Sequence, residues 1–272
     1  MTFAALGRLD GRSAVVTGAT GLLGRRFCHG LAELGARVAV VDRNDDECRT
    51  LALELKERHG NACIGIVADV ADPSSVQTMV ERACKAFDGI DILHNNAASK
   101  SRDIDAFFAP YEAYSLAQWR EVMSVNLDGM FLVSQSVGKE MVRRGKGGTI
   151  IQTASIYGVV APDQRIYDGA EYQGRAINTP AVYAASKAAI VGLTKYLATY
   201  WAAAGIRVNT LTPGGVESGQ NDEFRNRYSL RVPLGRMANP DELVGALLFL
   251  ASDASSYVTG QNIIVDGGLT AW

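Results

Sequence analysis

Cysteine is scarce in this chain. Cys28, Cys48, Cys63 and Cys84 are too few among 272 residues for a disulfide scaffold, and none forms the C-x-x-C pair of a metal or redox site. An excess of either charge is also missing. The 27 Lys and Arg against 29 Asp and Glu leave a formal net charge of -2, which gives no reason to expect nucleic acid or an anionic membrane as partner. No apolar run approaches the roughly 20 residues that span a bilayer. Met1 to Arg12 lacks the basic-then-apolar order of a secretion signal. His29, His59 and His94 have no Cys or Asp partner at metal-ligand spacing, so no metal is expected. Linkers, repeats and low-complexity tracts are absent too. A reduced, cytoplasmic globular chain is what remains, 47% hydrophobic and 21% charged, read as a single domain over residues 1–272.

Short β-branched runs alternate with helical ones from end to end. Strands are expected at Ser13–Thr17, Ala36–Val41, Cys63–Val67, Asp91–His94, Thr149–Thr153, Ile206–Leu211 and Asn262–Val265. Between them, Leu22–Leu34 reads as a helix stopped by Gly35, and Asn44–His59 as one closed by Gly60. Asp72-Pro73 and Asn239-Pro240 each supply an N-cap followed by a first-turn proline. Ser115-Leu-Ala-Gln118 reads as a capping box opening a long helix towards Arg143, and Ala181–Ala204 as another long helix. Seven strands separated by helices imply an α/β fold of Rossmann type, a doubly wound parallel sheet with helices on both faces.

Two patterns carry chemistry. The first strand ends in Thr17-Gly18-Ala19-Thr20-Gly21-Leu22-Leu23-Gly24 and a helix follows at once. Glycines there let the backbone turn tightly against a pyrophosphate lying at the helix N-terminus. Asp42 ends the second strand, where a carboxylate accepts hydrogen bonds from both adenosine ribose hydroxyls and repels a 2′-phosphate. That favours NAD over NADP, with Arg43 as the dissenting neighbour. The second pattern is Tyr183-Ala-Ala-Ser-Lys187, a phenol and an ammonium on one helix face. A free phenol titrates near 10. An ammonium roughly 5 Å away, at an effective dielectric of about 20, favours the phenolate by about 3 kcal/mol. Such a phenol becomes a usable general acid/base. By spacing alone an ordinary helix with a Tyr–Lys pair is the weightier reading, and only the rest of the chain reverses it.

With Ala68-Asp69-Val70, Asn95-Asn96-Ala97-Ala98, Val125-Asn126, Ser155, Pro213 to Ser218 and Val265-Asp-Gly-Gly268, these pieces stand in one order along nearly the whole chain. Together they resemble the short-chain dehydrogenase/reductase family. The resemblance implies that Gly18, Thr20, Gly21, Leu23, Gly24, Asp42 and Arg43 hold the cofactor's adenosine and pyrophosphate. Asp69 and Val70 meet the adenine, Asn95 and Ala97 floor the adenosine, and Pro213, Val216 and Ser218 wall the nicotinamide end. Ser155 donates to the substrate oxygen, Tyr183 moves the proton, Lys187 lowers its pKa and holds the nicotinamide ribose, and Asn126 carries a water towards Lys187. A small substrate lid around residues 216–234 and a homotetramer or homodimer are implied as well, the latter through the apolar faces of Leu116–Arg143 and Asn239–Ala251.

Three departures stand out. The middle glycine is Gly21, as in the family's extended sugar-nucleotide branch, where shorter members place it at the position of Leu22. Ala98 replaces a common glycine. Ser155 and Tyr183 lie 28 residues apart, about twice the usual gap, so residues 160–180 contain an insertion. Its Asp163, Arg165, Asp168, Glu171 and Arg175, with Tyr167 and Tyr172, suit a hydroxyl-rich substrate, although a solvated loop or a subunit contact fits the same residues. Ser99–Pro110 is expected to rim the same pocket. The reading is an NAD-dependent oxidoreductase interconverting a secondary alcohol and a ketone on a sugar, sugar acid or polyol. A sugar-modifying epimerase or dehydratase with tightly held NAD, and a non-catalytic dinucleotide sensor, are the alternatives.

Overall fold

In the computed structural model, which describes residues 3–172 and 174–272, strand β1 (Ser13–Thr17) is buried at all five positions. Alternation along it divides the core into two. Ala14 and Val16 face one hydrophobic cluster and Val15 the other, and β2 (Arg37–Asp42) does the same with Val38 and Val40 against Ala39 and Val41. Helices α1 (Leu22–Glu33) and α2 (Asp45–His59) cover the first face. Helix α3 (Pro73–Phe87) covers the second. Each fully buried Val, Leu or Phe contributes roughly 1.5–3 kcal/mol of transfer free energy.

The remaining sheet strands are β3 (Cys63–Val67), β4 (Ile92–Asn95), β5 (Gly148–Thr153), β8 (Ile206–Pro213) and β9 (Asn262–Val265). All pair in parallel, in the order β3-β2-β1-β4-β5-β8-β9. This is the doubly wound sheet expected from the sequence. The order reverses between β1 and β4, whose carboxyl ends flank the crevice where such folds bind ligands.

Two long helices differ from expectation. The run opened by Ser115 is α5 (Leu116–Met123), a π-helical turn Ser124–Gly129, and α6 (Met130–Arg144). The wide turn carries Asn126, whose Oδ1 accepts from the Ser99 N–H at 2.8 Å, and π turns of this kind favour functional positions. Only half of the expected capping box forms. The Ser115 hydroxyl accepts from the Gln118 N–H, but no bond returns from the Ser115 N–H to the Gln118 side-chain oxygen. The reciprocal box is instead at Asn239 and Glu242, opening a 3-10 turn before α9 (Val244–Ala251). Helix α7 (Ala181–Tyr200) stops short of Ala204, the last residues forming a 3-10 turn.

Several small elements escaped the sequence reading. Helix α4 (Ile104–Phe107) packs Phe107 beside Val182 of α7, the insertion folds into the hairpin β6 (Glu171–Tyr172) and β7 (Arg175–Ala176), and α8 (Asp222–Ser229) closes over it. Ile166 and Ala170 of the insertion pack with Phe224, Tyr228, Val232, Met237 and Leu269, so the insertion has a small core of its own.

Candidate active site

Gly18 adopts φ +64°, and a Cβ there would lie 2.8 Å from the Ala97 Cα, so the end of β1 closes onto the end of β4 only with glycine. The turn leads into α1, whose N-cap Gly21 offers no side-chain hydrogen bond, leaving the first-turn N–H groups to face a groove of about 600 Å³. Gly18, Thr20, Gly21, Leu23, Gly24, Asp42, Arg43, Asp69, Val70 and Ala97 all line it. Asp42 braces the turn. Its Oδ2 accepts from the Thr20 N–H at 3.0 Å and the Thr20 hydroxyl at 2.8 Å, and its Oδ1 from the Arg43 N–H at 2.8 Å. A dinucleotide fits this site: free N–H groups for a pyrophosphate, a carboxylate for a ribose, and a carboxylate with Val70 for an adenine.

Asn95 is a correction. β4 extends through it, and strand alternation turns its side chain into the protein interior. There it accepts from the Thr17 hydroxyl at 3.2 Å and donates to the Met130 carbonyl at 2.9 Å. The next residue, Asn96, lines the groove in its place, with Ala98, Ser99 and Glu47, none of which the sequence pattern assigns to the cofactor. The double asparagine was the available signal, read one residue too early. Pro213 and Val216 line neither this groove nor the neighbouring cavity. Pro213 ends β8, and Val216 packs on the first core cluster. Ser218 does line the cavity.

Ser155 follows β5 and accepts from the Tyr157 N–H at 3.3 Å, opening a 3-10 turn. That turn lies against α7 because Gly158 has no side chain; a Cβ would sit 2.5 Å from the Lys187 carbonyl carbon. Ser155 and Tyr183 thereby share one cavity. Lys187 is buried and donates to the Thr153 carbonyl at 2.9 Å, while its Nζ is 5.8 Å from the Tyr183 ring centroid. Burial pushes the Lys187 ammonium down to about 8. Burial also pushes the Tyr183 phenol up, with hydrogen bonding to Ser155 opposing it. The sequence reading had Lys187 bring this phenol down, and here desolvation wins. Asn126 is buried, its Nδ2 within 3.5 Å of the Ser186 hydroxyl.

The cavity shared by Ser155 and Tyr183 measures about 240 Å³. Beyond Ser155 and Tyr183 it is lined by Tyr157, Tyr167, Tyr172, Asn178 and Thr179. Tyr167 links its walls, donating to the Tyr157 hydroxyl at 3.2 Å and sharing a 2.5 Å hydrogen bond with Thr179. The charges expected to meet hydroxyls are not in this cavity. Asp163 pairs with Arg165 at 2.8 Å, Arg175 with Asp105 at 3.0 Å, and Glu171 is exposed. Full solvation outside costs less than desolvation within, so the insertion turns its phenols and amides inward instead. From Ser99–Pro110, Lys100, Phe107 and Phe108 reach the cavity.

His94 is fully buried, hydrogen-bonded to Thr153 at 2.9 Å and held down to about 3 by desolvation, a structural histidine as its place in the strand suggested. His29 and His59 face one another at 3.2 Å on the α1 and α2 surfaces. Among the described residues no three His, Cys, Asp or Glu side chains gather as metal ligands, and no helix is long and apolar enough to cross a membrane.

The short chain dehydrogenase family model matches residues 12–229. The chain is 39% identical to the D-threitol dehydrogenase of Mycolicibacterium smegmatis, over 97% of this chain and 94% of that one. It is 37% identical to the galactitol 2-dehydrogenase (L-tagatose-forming) of Cereibacter sphaeroides, over 100% of both. The structure of a gluconate 5-dehydrogenase from Burkholderia cenocepacia, in complex with NADP and tartrate, superposes with a TM-score of 0.86 at 37% identity over 98% of each chain. A doubly wound sheet with a dinucleotide crevice defines the class. The chain belongs to the short-chain dehydrogenase/reductase family.

Proposed function

We propose that this protein interconverts a secondary alcohol and a ketone on a small polyhydroxylated substrate, with NAD the preferred cofactor. As a short-chain dehydrogenase it is an oxidoreductase, and the nicotinamide, when bound, supplies the hydride acceptor or donor. The observation that carries the reading is that Ser155 and Tyr183 line one cavity, with the buried Lys187 Nζ 5.8 Å from the Tyr183 ring centroid and donating to the Thr153 carbonyl. The Ser155 hydroxyl fixes the substrate oxygen by donating to it. The Tyr183 phenolate takes the alcohol proton. Lys187, mostly charged at neutral pH, is the cation that favours that phenolate against the cost of burial. Asn126 holds the Ser99 loop and the π turn beneath them.

D-Threitol, galactitol and gluconate, the substrates named for three relatives, point to a polyol, sugar or sugar acid. A cavity of about 240 Å³ lies below the roughly 300–1,000 Å³ of drug-sized ligand sites and favours a small substrate over a steroid or acyl thioester. The preference for NAD rests on Asp42, since its carboxylate at the ribose end of the groove repels a 2′-phosphate. Residues 1–272 act as one domain, with 160–180 as an insertion and 216–234 as a small lid. The exposed Phe131, Val142, Tyr196 and Tyr200 on α6 and α7 suit a second copy of the chain, as a homodimer or homotetramer. A cytoplasmic location fits the cysteine usage.

A screen of polyols, sugars and aldonates with NAD and NADP, read by absorbance of the reduced cofactor, tests the activity. In the same assay Asp42→Ala should lose roughly 1.5–3 kcal/mol in NAD binding and relax discrimination against NADP. Preference of the unmodified protein for NADP would overturn the assignment of Asp42.

A further inference from the structure

Lys100 lines three adjoining spaces. One is the cofactor groove, one is the substrate cavity, and the third is an outer cleft of about 670 Å³ bounded also by Arg102, Asp103, Asp105, Tyr172 and Arg175. The two carboxylates of that cleft are already engaged. Asp105 pairs with Arg175 at 3.0 Å, and Asp103 caps α4 by accepting from the Ala106 N–H at 3.0 Å. Among the described residues, neither the Lys100 ammonium nor the Arg102 guanidinium makes a hydrogen bond or ion pair. The Lys100 Nζ lies 4.4 Å over the Tyr172 ring, a contact that positions a cation without neutralising it. Tyr172 comes from the insertion and lines both the inner cavity and the outer cleft, so the insertion itself aims this charge.

We propose that the outer cleft is an anion subsite, in which Lys100 takes the carboxylate or phosphate at the end of a polyhydroxylated substrate remote from the carbon that reacts at Tyr183. The inference rests on the oxidoreductase reading above and narrows its substrate class to acidic or phosphorylated sugars and polyols. A neutral polyol fills the inner cavity but leaves Lys100 and Arg102 without a counter-charge. An anion at that end converts two free cations into charge-assisted hydrogen bonds.

Gluconate, glucitol and glucitol 6-phosphate share one chain of hydroxyls and differ in their terminal group. Calorimetric titration of each into the protein saturated with NADH, which fills the phosphate-binding turn and cannot accept hydride from an alcohol, should show at least one anion binding about tenfold or more tightly than glucitol, the scale of one charge-assisted contact. Which anion does so identifies the terminal group. Lys100→Met should erase that advantage, weakening the anion about tenfold more than glucitol. Lys100→Gln should behave alike, because charge rather than length is lost. Equal binding of glucitol and both anions, no binding of either anion, or equal weakening of glucitol and anion in Lys100→Met would each overturn the subsite. Failure of every alcohol in the turnover assay would overturn the oxidoreductase reading, while the calorimetric result decides the subsite separately.

Discussion

The cofactor groove and the substrate cavity adjoin, yet they are built on different principles. The groove is backbone: a glycine turn closed on Ala97, a helix N-terminus, and one carboxylate bracing its own loop through Thr20. The cavity is side chain: phenols and amides delivered by an insertion with its own small core, held together by the hydroxyls of Tyr157, Tyr167 and Thr179. A backbone site tolerates little variation because its contacts need particular dihedral angles. A side-chain site can change partner by exchanging residues on a stable frame, which is how one fold serves many substrates.

Tyr183→Phe separates the two regions most sharply. It removes the proton-carrying hydroxyl and keeps the ring, so kcat should fall at least about 10²-fold, the usual contribution of a general acid/base. Dinucleotide affinity, measured by fluorescence titration, should stay nearly unchanged because the groove is untouched. A variant that keeps most of its activity would remove Tyr183 from the chemistry.

That contrast also explains what the sequence made legible. The parallel sheet and the glycine turn follow from periodicity and from the few residues that can make such turns, whereas the strand order comes from the structure. Asn95 turns inward because β4 runs one residue further than the pattern suggests, so the first asparagine belongs to the strand and the second opens the loop. The π turn at Ser124–Gly129 leaves no mark in a helical pattern that stays apolar on the same side. For Asp163, Arg165 and Arg175, residue type alone leaves a cavity wall, a solvated loop and a subunit contact all open. Whether a charge faces a cavity depends on partners such as Asp105, 70 residues distant in sequence from Arg175, which no local pattern reveals.

The acid–base pair supplies a second, smaller effect. Tyr183 is pushed up by burial, while Lys187 is brought down to about 8, with Ser155, Thr153 and Tyr167 as the polar groups around them. Alcohol oxidation needs the phenolate, so kcat/KM for oxidation should climb by up to about tenfold per pH unit between roughly 6 and 8. Above about 8 Lys187 loses its proton and withdraws its support for the phenolate, so the climb should flatten. Ketone reduction needs the protonated phenol and should stay level over the same range. The measurement is a pair of pH–rate profiles at saturating cofactor. An oxidation rate independent of pH between 6 and 8 would mean that the Lys187 charge already outweighs burial.

Tyr167→Phe carries the smallest expected change and probes the cavity alone. The ring, which packs against Phe224 at 5.5 Å between centroids, remains, so the insertion's core should hold. What disappears is the hydroxyl joining Tyr157 to Thr179. A net hydrogen bond contributes about 1 kcal/mol, so KM for a polyol or aldonate should rise roughly fivefold. A secondary alcohol with no further hydroxyl gives the control, since it neither uses nor misses the Tyr157–Tyr167–Thr179 array, and its KM should not move. Thermal melting should shift little for both, because the loss is one partly buried contact within a packed wall. Equal rises in KM for the two alcohols would identify Tyr167 as a brace for Ser155 rather than as part of the surface that distinguishes hydroxylated substrates.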